Sequence, residues 1–252
     1  FTPDLCLLLN ASGCMAVSGG LEVASDRLLQ LIQKGVTVEQ VAKVAGNLTS
    51  AGIMVHAYLM YGFPTQTVQE TVDSLEMVRQ LFQTEVIRSG FWHQFALTAH
   101  SPVGQDPEAY GLVTEKHEIT FANNDIQFSD KTNIDHDKFS YGLKKSLYNY
   151  MHGIGYEFPL QEWFNFKIPR TTVDDDFILK CLAQEEPLVI RPHAKWVWLG
   201  KSPEISAINK IIKGKKIELQ SFYFHNKQSA LTIELNPEEG KCLLFALEQI
   251  AL

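Results

Sequence analysis

The chain has 252 residues, of which 45% are apolar and 20% charged, which excludes a disordered polymer and allows a core large enough for two domains. Its 22 Lys and Arg against 29 Asp and Glu leave a net charge of −7, which disfavours a general nucleic-acid coat. Apolar runs are short, so no transmembrane helix is expected and no membrane partner with it.

Residues 2–13 open with Thr2-Pro3-Asp4, a helix start, and Leu5, Leu8 and Leu9 form its apolar stripe before Gly13. Cys14–Leu21 reads as a short buried strand ending in Gly19-Gly20. Ser25 opens a helix with Leu28, Leu29, Leu31 and Ile32 on its inner face. Thr37 and Gln40 make a capping box for a helix through Val41, Val44, Ala45 and Leu48. Ile53–Tyr61 is apolar and aromatic and reads as a second buried strand, bounded by Gly62 and Pro64. Thr67 and Glu70 cap a helix whose inner stripe is Val72, Leu75, Val78, Leu81 and Phe82. Val86–Ala99 reads as a third strand, centred on Phe91–Thr98.

Alternation of helices and strands predicts parallel strands joined by helical crossovers. An eight-unit barrel takes about 250 residues. Residues 1–118 therefore hold three to four units, a half β/α barrel with an open edge. Together with the start at Phe1, this suggests the later part of a longer chain. The expected fold class is α/β, a half barrel followed by a smaller α+β domain.

Beyond residue 118 the pattern changes. Residues 119–187 form a helical and aromatic accessory segment, with a helix over 135–152 carrying Phe139, Leu143, Leu147, Tyr150 and Met151. The stretch GYEFPLQEWFNFKIPR is expected to cover the open end or edge of the barrel. Its Phe158, Trp163, Phe164 and Phe166 either line a cavity or glue domains together. Asp174, Asp175 and Asp176 read as carboxylates at a helix start. Residues 188–252 read as a small α+β module: a strand over Lys195–Leu199, a helix over Pro203–Ile212, a hairpin of Ile217–Phe224 and Ala230–Leu235, and a helix opened by Asn236-Pro237. Lys210, Lys213, Lys215 and Lys216 read as a solvated basic face, and nucleic acid is not the expected partner.

Three segments, GCMAVSGGLEVASDRLLQLIQKG, AGIMVHAYLMYGFPTQTVQETVDSLEMV and FWHQFALTAHSPVGQDPEAYG, occur in order at helix-length spacing. They resemble the fourth, fifth and sixth strands of radical S-adenosylmethionine enzymes. The nearest resemblance is to the group that includes cobalamin-binding, tRNA-modifying and coproporphyrinogen-type members. It covers about residues 1–115. It implies a partial (β/α)₆ barrel whose strand ends hold S-adenosylmethionine against a 4Fe-4S cluster. That cofactor is cleaved to a 5′-deoxyadenosyl radical, which abstracts a substrate hydrogen.

The family's CxxxCxxC cluster motif is absent. The four cysteines, Cys6, Cys14, Cys181 and Cys242, are scattered and make no CxxC pair. The expected reading is a cytoplasmic, C-terminal fragment of such an enzyme, its cluster segment upstream of Phe1, and no cofactor held stably by this chain alone. Its partners would then be a small-molecule cofactor, an unidentified substrate and the missing N-terminal half. The alternative is a non-catalytic binding or scaffold protein with a degenerate half barrel, closing its open edge by dimerising.

Alternation along strands selects the candidate residues. Ser18, Gly20 and Glu22 share one face of the first strand, and Glu22 is positioned for ribose hydroxyls or the cofactor's ammonium. A purely structural carboxylate at a helix N-terminus is the competing reading. His56, Tyr58 and Met60 share a face of the second strand, with Tyr58 where some relatives carry a ribose-binding Asp. Gly62 and Pro64 shape a turn whose backbone approaches the adenine. On the third strand Gln94, Thr98 and His100 share a face, with His93 on the other. His56, Gln94, Thr98 and His100 are thus the substrate-side candidates. No metal ligand set is assigned.

Overall fold

The computed structural model describes residues 1–114, 124–183, 197, 198, 200–212, 215–225 and 230–250. The chain divides into two compact units, Phe1–Glu186 and Pro187–Leu252.

The first unit is built on a parallel sheet in the order β1-β2-β3, with β1 Ala16–Glu22, β2 Met54–Tyr61 and β3 Ser89–Gln94. Helix α1 (Pro3–Ala11) precedes β1. Helices α2 (Asp26–Leu31) and α3 (Val38–Ser50) cross from β1 to β2, and α4 (Val68–Gln83) crosses from β2 to β3. Both predicted capping boxes form. The Thr37 side chain accepts from Gln40 N and Thr67 from Glu70 N, while Gln40 and Glu70 reach back to the cap amides. Each box satisfies donors that a helix start otherwise leaves orphaned.

One face of the sheet carries Val55, Ala57, Leu59, Tyr61 and Trp92, which bury against α3, α4 and α6 (Ser140–Met151) in the main core. The other face bears Ala16, Ser18, Gly20, Met54, His56, Tyr58, Ser89, Phe91 and His93, placed together by the strand register. Met54, Tyr58 and Phe91 are 50%, 46% and 54% exposed there. The expectation of strands buried on both faces is therefore corrected: β2 alternates, with one side against helices and the other open. A smaller apolar cluster, Val23, Leu28, Met60, Phe63, Leu97, Val103 and Leu112, gathers at the C-terminal ends of the strands.

Two further sequence expectations change in this unit. In α1 the inward residues are Cys6 and Leu9, and Leu5 and Leu8 are 43% and 40% exposed, because the helix turns its Cys6 side toward the core shared with α3. The third strand stops at Gln94 rather than Ala99. After one more parallel bond, Phe95 N to Tyr61 O, the chain pairs with the segment at 124–126 through a Thr98–Asp125 bridge. Helix α5 (Pro102–Gln105) and a short hairpin, β4 (Leu112–Thr114) with β5 (Phe128–Asp130), follow.

Phe139, Leu143, Leu147 and Tyr150 bury one side of α6 as the helical spacing predicts. The aromatic stretch does not lie over the open sheet face. Trp163 and Phe164 join the main core beside α6, so these rings act as glue within the unit. The stretch is tied to α4 by polar side chains. Arg79 donates to Tyr156 O at 2.5 Å, and Asp73 accepts from Thr171 and Thr172. Helix α7 (Phe177–Ala183) starts after the three aspartates, and Lys180 pairs with Asp174 and Asp176.

The second unit contains an antiparallel sheet, β6 (Glu204–Ile212), β7 (Lys215–His225) and β8 (Ala230–Leu235), in that order, and a helix, α8 (Pro237–Ile250). The hairpin and the closing helix match the sequence reading. Asn236 caps α8 by accepting from Glu238 N and Glu239 N. Segment 203–212 is a strand, not a helix. Its isoleucines, Ile205, Ile208, Ile211 and Ile212, repeat at helical spacing, and antiparallel pairing with β7 from Glu204↔Tyr223 to Ile212↔Lys215 overrides that local signal. Most of the strand expected over Lys195–Leu199, and Lys213 of the basic run, lie outside the described residues. Lys210 pairs with Glu234.

Candidate functional site

The open sheet face gathers part of the predicted set. Ser18 stands beside His56, and His56 beside Ser89, whose Oγ lies 2.7 Å from His56 Nδ1. Gly20 stands beside Tyr58, and Tyr58 beside Phe91. The rings of His56 and Tyr58 meet edge to face, 5.0 Å between centroids. The result is a strip of hydroxyl, imidazole and phenol groups with an exposed aromatic floor.

Glu22 reaches this strip by a route that alternation does not predict. The β1–β2 register slips between Gly20 and Glu22, and Glu22 sits at φ 57°, a left-handed conformation uncommon outside glycine. The turn folds its carboxylate back over Gly20. A Cβ on Gly20 would overlap Glu22 Oε1 and come within 2.8 Å of Lys34 Nζ. Lys34 holds that carboxylate at 2.8 Å, with the two side chains 35% and 21% exposed. Lys34 was invisible as a site residue because it closes a helix turn remote from any strand.

The turn after β2 is occupied internally. Gly62 has φ 75°, and Gln66 Oε1 accepts from both Gly62 N and Phe63 N, at 2.7 and 3.2 Å. Gly62, Phe63, Pro64 and Gln66 are all buried. The expected approach of free backbone amides to an adenine is corrected for these two N–H groups, which Gln66 consumes. His136 stacks over Gly62, with its ring within 3.3 Å of a notional Cβ there. Both ring nitrogens of His136 are buried with no hydrogen-bond partner, and burial pushes its pKa down. Gly62 and His136 line a cavity of about 470 Å³ with Gln94, Phe95, Asp130 and Asp137.

The third-strand candidates do not converge with His56. The register pairs Met60 with His93 and Tyr61 with Gln94, so His93 shares the open face and Gln94 takes the opposite one. Gln94 accepts from Tyr61 Oη at 3.2 Å and donates to Asp137 at 2.6 Å. Thr98 and His100 lie beyond the strand; the carbonyl of His100 accepts from Gln105 in a turn. Face parity within one strand does not carry to its neighbour, because it is the pairing register that sets which residues align.

The thiols do not fit an iron–sulfur cluster. Cys6 and Cys181 are buried, and burial raises both pKa values, which favours the thiol over the thiolate a cluster needs. Cys14 donates weakly to Ala16 O, and Cys242 lies on α8 of the second unit. Among the described residues no three His, Cys, Asp or Glu side chains are grouped to hold a metal ion. No helix among them is long and apolar enough to cross a membrane.

No family model matches the chain, and no curated protein matches it.

Proposed function

We propose that this chain supplies the C-terminal strands of a radical S-adenosylmethionine barrel, and that its open sheet face forms part of the cofactor and substrate site. One observation carries the reading. A parallel sheet of three strands has helices on one face and leaves the other open, and the Gly20–Glu22 strand end lies there beside Tyr58 and His56. In barrels of this architecture the inward face and the C-terminal strand ends hold the ligand.

The residues fit a nucleoside with an amino-acid tail. The Glu22 carboxylate accepts from ribose hydroxyls or an ammonium, the Ser18 hydroxyl hydrogen-bonds, and the exposed Tyr58 and Phe91 rings offer stacking surface. His56, hydrogen-bonded to Ser89, and His93 share this open face and would be the groups offered to a substrate there. When bound to a reduced cluster, S-adenosylmethionine supplies hydrogen-atom abstraction. On this reading the cluster ligands would come from a CxxxCxxC segment elsewhere in the barrel, since these 252 residues carry no such motif.

The test compares two proteins after anaerobic iron and sulfide reconstitution: residues 1–252 alone, and the chain extended upstream through the coding sequence. The first is expected to stay colourless and to bind S-adenosylmethionine weakly. The second is expected to include CxxxCxxC, to turn brown with four irons and to bind the cofactor tightly. A stable four-iron preparation from residues 1–252 alone overturns the fragment reading. An upstream sequence without CxxxCxxC favours the non-catalytic scaffold, for which exposed Met54, Tyr58 and Phe91 provide an apolar docking face.

A further inference from the structure

Residues 130–137 run from the end of β5 to the start of α6 across the C-terminal ends of β2 and β3. Thr65 N, in the turn after β2, donates to Asp130 Oδ2 at 2.9 Å. Gln94 Nε2, at the end of β3, donates to Asp137 Oδ1 at 2.6 Å. Between these two holds the His136 ring lies on Gly62. The cavity of about 470 Å³ is lined on one side by this segment and on the other by Gly62 and residues 94–97. Two residues here keep left-handed backbones, Asn133 at φ 49° and the β-branched Thr65 at φ 68°, strain of the kind that concentrates in segments that switch. Thr65 is held in it by Arg27, which donates to its carbonyl and hydroxyl, and by Asp130, which takes its amide.

Of these contacts, the His136 stack is the one a single proton can break. Both ring nitrogens are buried without a hydrogen-bond partner. Asp130 does not relieve them, because its Oδ1 accepts from Thr132 N and Oγ1 and its Oδ2 from Thr65 N. A neutral ring leaves one N–H and one lone pair unmet there, whereas an imidazolium would leave two N–H groups and a buried charge unmet. Asp130, Asp135 and Asp137 favour the charged ring and Lys138 opposes it, while Asp125 also lines the cavity. The strand ends packed against the ring present Gly62 and Gln94, with the Tyr61 hydroxyl that donates to Gln94. Burial outweighs the carboxylates and holds the His136 pKa below its ordinary 6.5. We propose that residues 130–137 are a pH-gated strap over this cavity, closed while His136 is neutral and lifted when its imidazole takes a second proton. Lifting puts the ring in water, where it regains its ordinary affinity for protons. The open form therefore binds more protons, and the equilibrium moves toward it as pH falls below 6.5. The strap goes beyond the cofactor reading and does not depend on it.

The experiment is a heteronuclear NMR titration of the isotope-labelled chain from about pH 7.5 to about pH 5, following the His136 ring nitrogens, the Gly62 and Thr65 amides and the Gln94 side-chain amide. These signals are expected to move together with a midpoint below 6.5, the closed-to-open ratio falling about tenfold by about pH 5.5, while the buried Leu59 and Leu75 amides stay in place. His136→Phe, whose ring also stacks on Gly62, and His136→Gln, which is smaller, carry no titrating group. Both are expected to lose the transition. The proposal is overturned if His136 gains its proton while Thr65 and Gln94 do not shift, which would mean the ring charges in place. It is also overturned if nothing shifts over the whole range, or if the transition persists in both variants and so belongs to a carboxylate. Movement of Leu59 and Leu75 along with the strap would mean global unfolding and overturns it too. None of these outcomes bears on the S-adenosylmethionine reading, which the reconstitution comparison tests.

Discussion

The indole nitrogen of Trp163 donates a 2.9 Å hydrogen bond to the hydroxyl of Tyr150, inside the core that joins the aromatic stretch to α6. Both rings are almost fully buried, and burial raises the Tyr150 pKa well above its ordinary value. Tyr150→Phe would keep the stacking on Tyr156 but leave the Trp163 N–H buried without an acceptor. Urea unfolding is expected to show a loss of about 1–3 kcal/mol with an unchanged m value. An unchanged midpoint would mean that the bond contributes nothing net.

Gly142 tests packing against helix propensity. It lies inside α6, where Ala is favoured by about 1 kcal/mol. A Cβ there would meet Phe164 Cδ1 at 2.5 Å and the backbone oxygen of Trp163 at 2.7 Å. Overpacking of this kind costs about 1–3 kcal/mol, and a backbone oxygen cannot swing aside. Gly142→Ala is therefore expected to destabilise the first unit, read as a lower thermal midpoint. A raised midpoint would show that the stretch at 163–164 yields easily.

Glu70 links α4 to α2 and carries a pH signature. Burial opposes its ionisation, but hydrogen bonds from Arg27 and Thr67 outweigh burial, and its pKa falls below the ordinary 4.5. A carboxyl with a depressed folded-state pKa contributes stability fully above its unfolded value and loses it as pH falls through the folded value. Wild type should exceed Glu70→Gln by about 1–2 kcal/mol at neutral pH. The difference should shrink progressively below pH 4.5. A gap between the two proteins that does not change across that window would refute the assignment.

Asp73 anchors the segment after the aromatic stretch. Its Oδ1 accepts from Gln69, Thr171 Oγ1 and Thr172 N, and its Oδ2 from Thr172 Oγ1. Asp73→Ala removes these acceptors without touching the sheet. Hydrogen exchange at the Thr172 amide is expected to accelerate by about tenfold or more while β2 amides keep their protection. Uniform acceleration across β2 would instead mean that the segment is part of the global folding unit.

Local chemistry made much of the first unit legible. Thr37 with Gln40 and Thr67 with Glu70 announce their helices because a cap is satisfied within four residues of chain, independent of what the helix packs on. The alternation that surrounds β1, β2 and β3 predicts a parallel sheet, since parallel neighbours require long crossovers. Alternation puts Ser18 with Gly20 on one face of β1 and His56 with Tyr58 on one face of β2, and the residue-for-residue pairing up to Gly20 sets the two pairs side by side.

What the residues alone left open depends on partners distant in sequence. Segment 204–212 carries isoleucines at helical spacing, and the ladder to β7 makes it a strand nonetheless. His93 rather than Gln94 joins His56, because the register of β3 against β2 places odd positions of one strand beside even positions of the other. The slip after Gly20 turns Glu22 back over it and brings Lys34 within 2.8 Å. Caps and periodicity are short-range, so the sequence by itself determined the capped helices of the first unit and its parallel sheet. Register, the bulge and the ion pair arise from backbone hydrogen bonds and side chains meeting across the fold, so only the tertiary structure decided which groups face one another.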